Sequence, residues 1–314
     1  MLKKIKKCLA LLVVLATVFS LITVHAADTG KADSGAAYAN FRNVTIGKIG
    51  KNNLYRSQHP ANGSARSVYA NKLAQENGIV TVLNLSDSRD SILKYFKNKK
   101  IPVTHYYRAL YNKGKVYTAH MGTGSHGGSS FRKKATSAVR FMAKNQGPYL
   151  IHCEIGRDRT GFVMLLLESL MGAPYDYMVN DFARSDMDRK GVSYAEAKSK
   201  AIKRLNDDLH YITGKGRKTN WKTQKLDMFA WAYLRKGGMS VNELNQLRKN
   251  LSVSYPKGGR KSGITAPAAP STTTGKPTNQ PANTNPAKTT DGKSTTAPKV
   301  TDGKNTTAPK ATDG

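Results

Sequence analysis

Cys153, Arg159 and Thr160 fall within one ten-residue string, His152 to Gly161, that reads HCEIGRDRTG. Ahead of it runs Tyr149-Leu150-Ile151, an apolar stretch with the length of a buried strand. Behind it comes Phe162 to Leu167, apolar on every side as a buried helix would be, and Gly172 and Pro174 stop that helix. A strand, a tight loop and a helix N-terminus in succession aim backbone N–H groups and the positive end of a helix dipole at one spot, which is an anion site. The thiolate rather than the thiol is the nucleophile, and a helix N-terminus near an arginine favours it. Cys153 is therefore placed to attack phosphorus, while the planar fork of Arg159 grips two phosphate oxygens. Thr160 can hydrogen-bond the sulfur when it leaves. This chemistry needs no metal or other cofactor.

Cleaving a phosphate ester also needs a proton for the departing oxygen. From Ser91 to Cys153 the chain has no Asp or Glu, so the donors are few. Asp158 lies inside the loop. Asp87 and Asp90 follow a strand whose carboxyl end could face the pocket. His120 and His126, at the Gly-rich segment 122–128, could cover the pocket as a mobile lid. Glu154 reads as outward loop decoration.

The string resembles the active-site loop of the cysteine-dependent protein tyrosine phosphatase superfamily: His-Cys, five residues, Arg, then Ser or Thr, with Gly156 and Gly161 also matching. Its Arg157-Asp158-Arg159 form is most similar to secreted bacterial tyrosine and phosphoinositide phosphatases. Those usually carry Lys at the position of Arg157, which keeps the charge, and Ala at that of Ile155, which reshapes the pocket mouth. The resemblance implies His152 as loop support, a phosphate-binding loop from Cys153 to Gly161, and Asp158 as the general acid ranked first. Asp87 or Asp90 ranks second and the histidines third. Two further stretches add to it: Leu54 to Pro60 (LYRSQHP) resembles the leading strand of dual-specificity-type relatives, and Asp181 to Asp186 (DFARSD) the stretch after the loop helix in the bacterial group.

The remaining elements supply a scaffold. Strands are expected at 44–46, 54–56, 79–85 and 103–107, and helices at 64–76, 92–97 and behind Ser129 and Ser130, which would cap a helix through Phe131 and Met142. Strands alternating with helices give an α/β fold: a central, mostly parallel sheet with helices on both faces. The part after the catalytic helix is helical, with capping boxes at Ser193/Glu196 and Ser240/Glu243. Trp221 and Trp231 read as core or interface residues.

Residues 1–26 read as a secretory signal peptide: four early lysines, an apolar core from Leu9 to Val24, and a small-residue cleavage site before Ala27. Its removal leaves Cys153 as the only cysteine and no membrane-spanning stretch. After a short segment at 27–39, residues 40–254 form the catalytic domain. Residues 255–314 are a disordered Thr/Pro/Lys-rich tail with an eleven-residue repeat beginning at Thr290 and Thr301. The 51 Lys and Arg against 20 Asp and Glu give a formal charge of +31. Taking away the four signal lysines, and the nine basic and three acidic residues from Pro256 onward, leaves +21 on the folded region. Such a charge selects anionic partners: a phosphorylated protein, an inositol phosphate or phosphoinositide, and, through the tail, an anionic cell wall. Nucleic acid is not among them, since no binding module is recognisable. The first functional reading is a secreted phosphatase of protein phosphotyrosine, with phosphoinositides as co-substrates. Beside it stand an inositol-phosphate phosphatase of the cysteine phytase type and, from another class, a non-catalytic basic wall- or phosphate-binding protein.

Overall fold

The computed structural model describes residues 34–259, apart from 102, 103, 125 and the side chains of Ser34 and Lys190. The expected signal peptide and the repeats of the tail lie outside the described residues. Five strands form the centre: β1 (Arg42–Val44), β2 (Leu54–Ser57), β3 (Thr81–Asn84), β4 (Val116–Thr118) and β5 (Tyr149–His152). Their order across the sheet is β1-β2-β5-β3-β4. Only β1 runs antiparallel to its neighbour; the β2/β5, β5/β3 and β3/β4 pairs are parallel. β5, which leads into the cysteine loop, thus lies in the middle, hydrogen-bonded on both sides.

Successive strand residues point to opposite faces, and the two apolar cores divide accordingly. Leu54, Leu83, Tyr149 and Ile151 enter one core, and Tyr55, Val82 and Leu150 the other. The second core is covered by α2 (Ala65–Glu76), α3 (Arg89–Lys97) and α4 (His105–Asn112), with the short α1 (Ser34–Tyr38) packed on α2. The first is covered by six helices: α5 (Ser129–Lys144), α6 (Asp158–Leu170), α7 (Tyr175–Lys190), α8 (Tyr194–Thr213), α9 (Leu226–Lys236) and α10 (Val241–Ser252). The architecture is the expected α/β sheet with helices on both faces and a helical C-terminal part. Every residue of α6 from Thr160 to Leu170 is buried, so this helix has no solvent side.

Several local expectations are corrected. The run His105-Tyr-Tyr-Arg-Ala-Leu-Tyr is rich in strand-favouring aromatics, yet it forms helix α4, because Tyr106, Tyr107, Leu110 and Tyr111 recur at helical spacing and are all buried. The strand that pairs with β3 comes later, at Val116–Thr118. Gly128, not Ser129 or Ser130, is the N-cap of α5. The reciprocal capping box exists at Ser240/Glu243, whereas Ser193 accepts from the Glu196 N–H and the Glu196 carboxylate is taken by Lys200. Trp221 is a core residue, and Trp231 packs partly buried against the same core.

The packed region also extends beyond 40–254 at both ends. α1 begins at Ser34, and Tyr255 is buried with its N–H on the Lys51 carbonyl. Two asparagines lock the C-terminal end in place. Asn53 Nδ2 donates to the carbonyls of Asn250, Leu251 and Val253, and Asn250 Nδ2 to those of Met142, Ala143 and Asn145. Gly259 then lies against Gly78, so closely that a Cβ on Gly78 would come 2.7 Å from the Gly259 Cα.

Beneath the cysteine loop lies a buried charge cluster. Arg42 and Arg56, 6% and 1% exposed, both grip the Asp181 carboxylate, Arg42 through Nε at 2.8 Å and Arg56 through Nη1. Burial alone would raise the Asp181 carboxyl, but the two guanidiniums hold it well below the ordinary range. Glu168 of α6 joins the cluster in the opposite state. Burial first, and the Asp181 charge second, push it well above the ordinary range, so that it keeps its proton and hydrogen-bonds Asp181. The two acids have opposite linkage. Asp181 stabilises the fold above its unfolded value, and this contribution falls away in acid. Glu168 does so below its unfolded value, near ~4.3, and this contribution is lost as pH rises toward its folded one. Glu168→Gln keeps the donor and removes the titration. Its stability advantage over the parent should be near zero at pH 4 and grow by about 1.4 kcal/mol per pH unit until the folded value is reached. Urea denaturation from pH 4.5 to 7.5 checks this, and an advantage independent of pH would rule out a protonated Glu168.

Candidate active site

Cys153 follows β5 directly, is 1% exposed, and opens a loop that ends at Asp158, the first residue of α6. The carbonyls of this loop are all drawn outward. The Glu154 carbonyl accepts from the His59 N–H at 3.3 Å. Asn40 Nδ2 donates to the Ile155 and Gly156 carbonyls at 3.2 and 3.1 Å. Arg56 Nη2 donates to Gly156 at 2.9 Å and to Arg157 at 3.4 Å. The backbone N–H groups from Glu154 to Thr160, by contrast, meet no acceptor among the described residues. Seven N–H groups in succession after the cysteine, left without acceptors, make a donor cradle for an anion. Gly156 makes the turn possible. Its φ is +69°, and a Cβ there would lie 2.3 Å from the Ser57 carbonyl oxygen. Gly161 lets α6 pass Phe182, whose ring would be 2.4 Å from an added Cβ.

His152 supports the loop from below. Burial above all pushes it well below the ordinary histidine range, so the ring is neutral. A carbonyl can only accept, so Nδ1–H donates to Cys153 O at 3.3 Å, and Nε2 accepts from the Tyr107 hydroxyl at 3.0 Å. The chain of bonds continues inward. Tyr107 Oη and Asp87 Oδ2 both accept from Asn84 Nδ2, and the Asn84 carbonyl oxygen takes the N–H groups of Ser86 and Asp87. His59 Nδ1 accepts from the Ala61 N–H, leaving its Nε2–H for Asp87 at 2.5 Å. The His59 and His152 rings meet edge to face, 4.6 Å apart. Asp87 is thus a buried hub. Burial alone would raise its carboxyl, but the bonds from His59 and Asn84 keep it below the ordinary value, as an anion.

The other expected residues fall in separate places. Asp158, about one-third exposed, is held by both oxygens to Arg157, at 3.1 and 3.2 Å, and Arg157 reaches the buried Asp186 at 2.9 Å. Asp90 is exposed in the first turn of α3, where its charge bears on Tyr111 rather than on the loop. His120 is exposed, in a left-handed backbone conformation (φ +46°). His126 is 2% exposed, stacked on Phe131 and bonded through Nδ1 to Asp208 at 2.8 Å, so it is a core residue and no part of a mobile lid. Glu154 is exposed as expected and accepts from Asn62 at 2.7 Å. The Thr160 hydroxyl is buried and bonds neither the sulfur nor any other described atom. Arg159 is braced by the Met121 carbonyl at 3.0 Å. Three backbone bonds, Ala119 to Asn84, His120 to Asp87 and Met121 to Leu85, tie that segment to the end of β3. No group of three His, Cys, Asp or Glu able to hold a metal ion occurs among the described residues.

Two sets of residues were not legible as site residues. Arg56 offered a signal, a charged residue inside an otherwise apolar strand, and Asp181 lay in a motif without an assigned role. Asn40 and Tyr107 offered none, since their partners are 115 and 45 residues away.

No curated protein sequence matches the chain. Among solved structures it is similar to the core catalytic domain of the PP-IP phosphatase SIW14 from S. cerevisiae in complex with citrate, at 20% identity over 56% of this chain and 91% of that one, with a TM-score of 0.31. The model of the tyrosine phosphatase family matches residues 36–253. That span holds the sheet, the loop and every residue that shapes the loop, and the chain belongs to the tyrosine phosphatase family as a cysteine-dependent phosphoric monoester hydrolase.

Proposed function

We propose that the chain is a secreted phosphatase that hydrolyses phosphotyrosine in proteins. The observation that carries the reading is the loop itself: a nucleophile 1% exposed, followed by backbone N–H groups that no carbonyl among the described residues claims. A sulfur set this deep suits the long reach of an aryl phosphate better than that of phosphoserine. Glu154 at the rim disfavours a substrate bearing phosphate on all sides. In the first step the Cys153 sulfur forms a bond to phosphorus in line with the leaving oxygen, and the P–O bond to tyrosine breaks. Arg159 and the loop N–H groups hold the three remaining oxygens as charge redistributes. Asp158 delivers its proton to the tyrosine oxygen, which requires Arg157 to release it. In the second step water attacks the cysteinyl phosphate, Asp158 takes the proton, and the thiolate departs, with the Thr160 hydroxyl free to turn toward it. Asp87, an anion fixed by His59 and Asn84, suits loop support rather than proton donation.

An inositol-phosphate phosphatase is the second reading, favoured by the +21 charge of the folded region. Secretion rests on residues 1–26 and wall contact on the basic tail.

Phosphate release from a phosphotyrosine peptide should exceed that from inositol hexakisphosphate, and Cys153→Ser should abolish both while still binding the peptide. A preference for the inositol phosphate would replace the first reading with the second. Asp158→Asn should lower kcat on the peptide by about 10²-fold or more, yet barely change it for an aryl ester whose leaving group needs no proton. Equal losses on both esters would remove Asp158 from the acid role. In culture, activity should collect in the medium or wall fraction, with a mature chain that starts at Ala27.

A further inference from the structure

Beside the loop, on the side of Arg157, cationic side chains outnumber the carboxylates that could pair with them. Arg157 pairs with both Asp158 and Asp186. Arg189 stands one turn beyond Asp186 on the same face of α7. Its Nε is buried and has no hydrogen-bond partner, and it forms no ion pair among the described residues. Across α1, which packs on both α2 and α7, lies Arg66. It donates to the Tyr38 carbonyl at 2.9 Å, lies 4.4 Å over the Tyr38 ring, and likewise has no carboxylate partner among the described residues. Burial, then the positive charges of Arg157 and Arg66, press the Arg189 guanidinium below its ordinary value, with Asp186 and Asp158 acting against them. Tyr38 and Tyr69, in edge contact at 5.5 Å, leave an exposed aromatic ledge next to the pair. A half-buried, unpaired guanidinium facing two others is unfavourable until an anion joins it.

We infer that Arg189 and Arg66 form a second anion subsite beside the catalytic loop, which takes a carboxylate or phosphate carried by the substrate next to the scissile phosphotyrosine. The inference rests on the phosphotyrosine reading and names its preferred sequence context: acidic or doubly phosphorylated segments. The Tyr38–Tyr69 ledge suits the apolar part of the same peptide.

The test compares kcat/KM for phosphotyrosine peptides that differ only in carrying Glu or Ala on either side of the phosphotyrosine, in the parent enzyme, Arg189→Gln and Arg66→Gln. The parent should favour the Glu peptide by on the order of tenfold, through KM, as a charge-assisted pair implies. Each variant should lose most of that ratio while handling the Ala peptide as the parent does, which also shows that it is folded. A parent enzyme that does not distinguish the peptides overturns the subsite, as does an equal loss on both peptides in the variants. Should the parent cleave neither peptide, the phosphotyrosine reading fails by itself. The subsite is then judged on inositol hexakisphosphate: a KM raised about tenfold in Arg189→Gln upholds it, and an unchanged KM overturns it.

Discussion

Two guanidiniums share one carboxylate beneath the loop, and the site depends on that arrangement. Placing Arg42, Arg56 and Asp181 out of water costs several kcal/mol per ion, and the bonds that the three make with one another and with their neighbours offset that cost. Arg42 reaches Asn40 as well as Asp181, and Arg56 reaches the Gly156 carbonyl as well as Asp181. The cluster therefore joins β1, β2 and α7 to the backbone of the loop. With Glu168 protonated, the cluster keeps an excess of positive charge directly under the carbonyl side of the cradle. The loop is electropositive from below before Arg159 contributes anything from the side.

Above that base, recognition is divided between backbone and side chains. The backbone provides the cradle, and its shape follows from where its carbonyls are tied. In the proposed reaction side chains provide the nucleophile, the clamp and the proton. The segment between β4 and α5 contains no Asp or Glu. It is fastened to the end of β3, and its Met121 carbonyl orients Arg159. With Asp158 inside the loop, the upstream segment braces Arg159 through Met121.

The loop was legible because its chemistry is local: a strand, five residues and a helix fix the donors and nucleophile within one short string. The mostly parallel sheet between helices and the burial of α6 followed from apolar runs. What escaped were pairings over long separations. Arg56 and Asp181 are 125 residues apart, and His126 and Asp208 are 82, so nothing near either member announces the other. A histidine in a glycine-rich stretch looks mobile until its distant carboxylate is known. Helix α4 escaped for a different reason. Tyrosine favours strands in general, and only the packing of Tyr106, Tyr107, Leu110 and Tyr111 against the second core decides for a helix.

The lock formed by Asn53 and Asn250 brings the described chain to its end at Gly259, against Gly78, just before β3 starts. Cys153 lies past the other end of the parallel strands. The described chain thus ends at the pole opposite its catalytic opening. A support attached at Gly259 itself would face away from that opening, as a bracket sits behind a lamp, and would leave the loop clear.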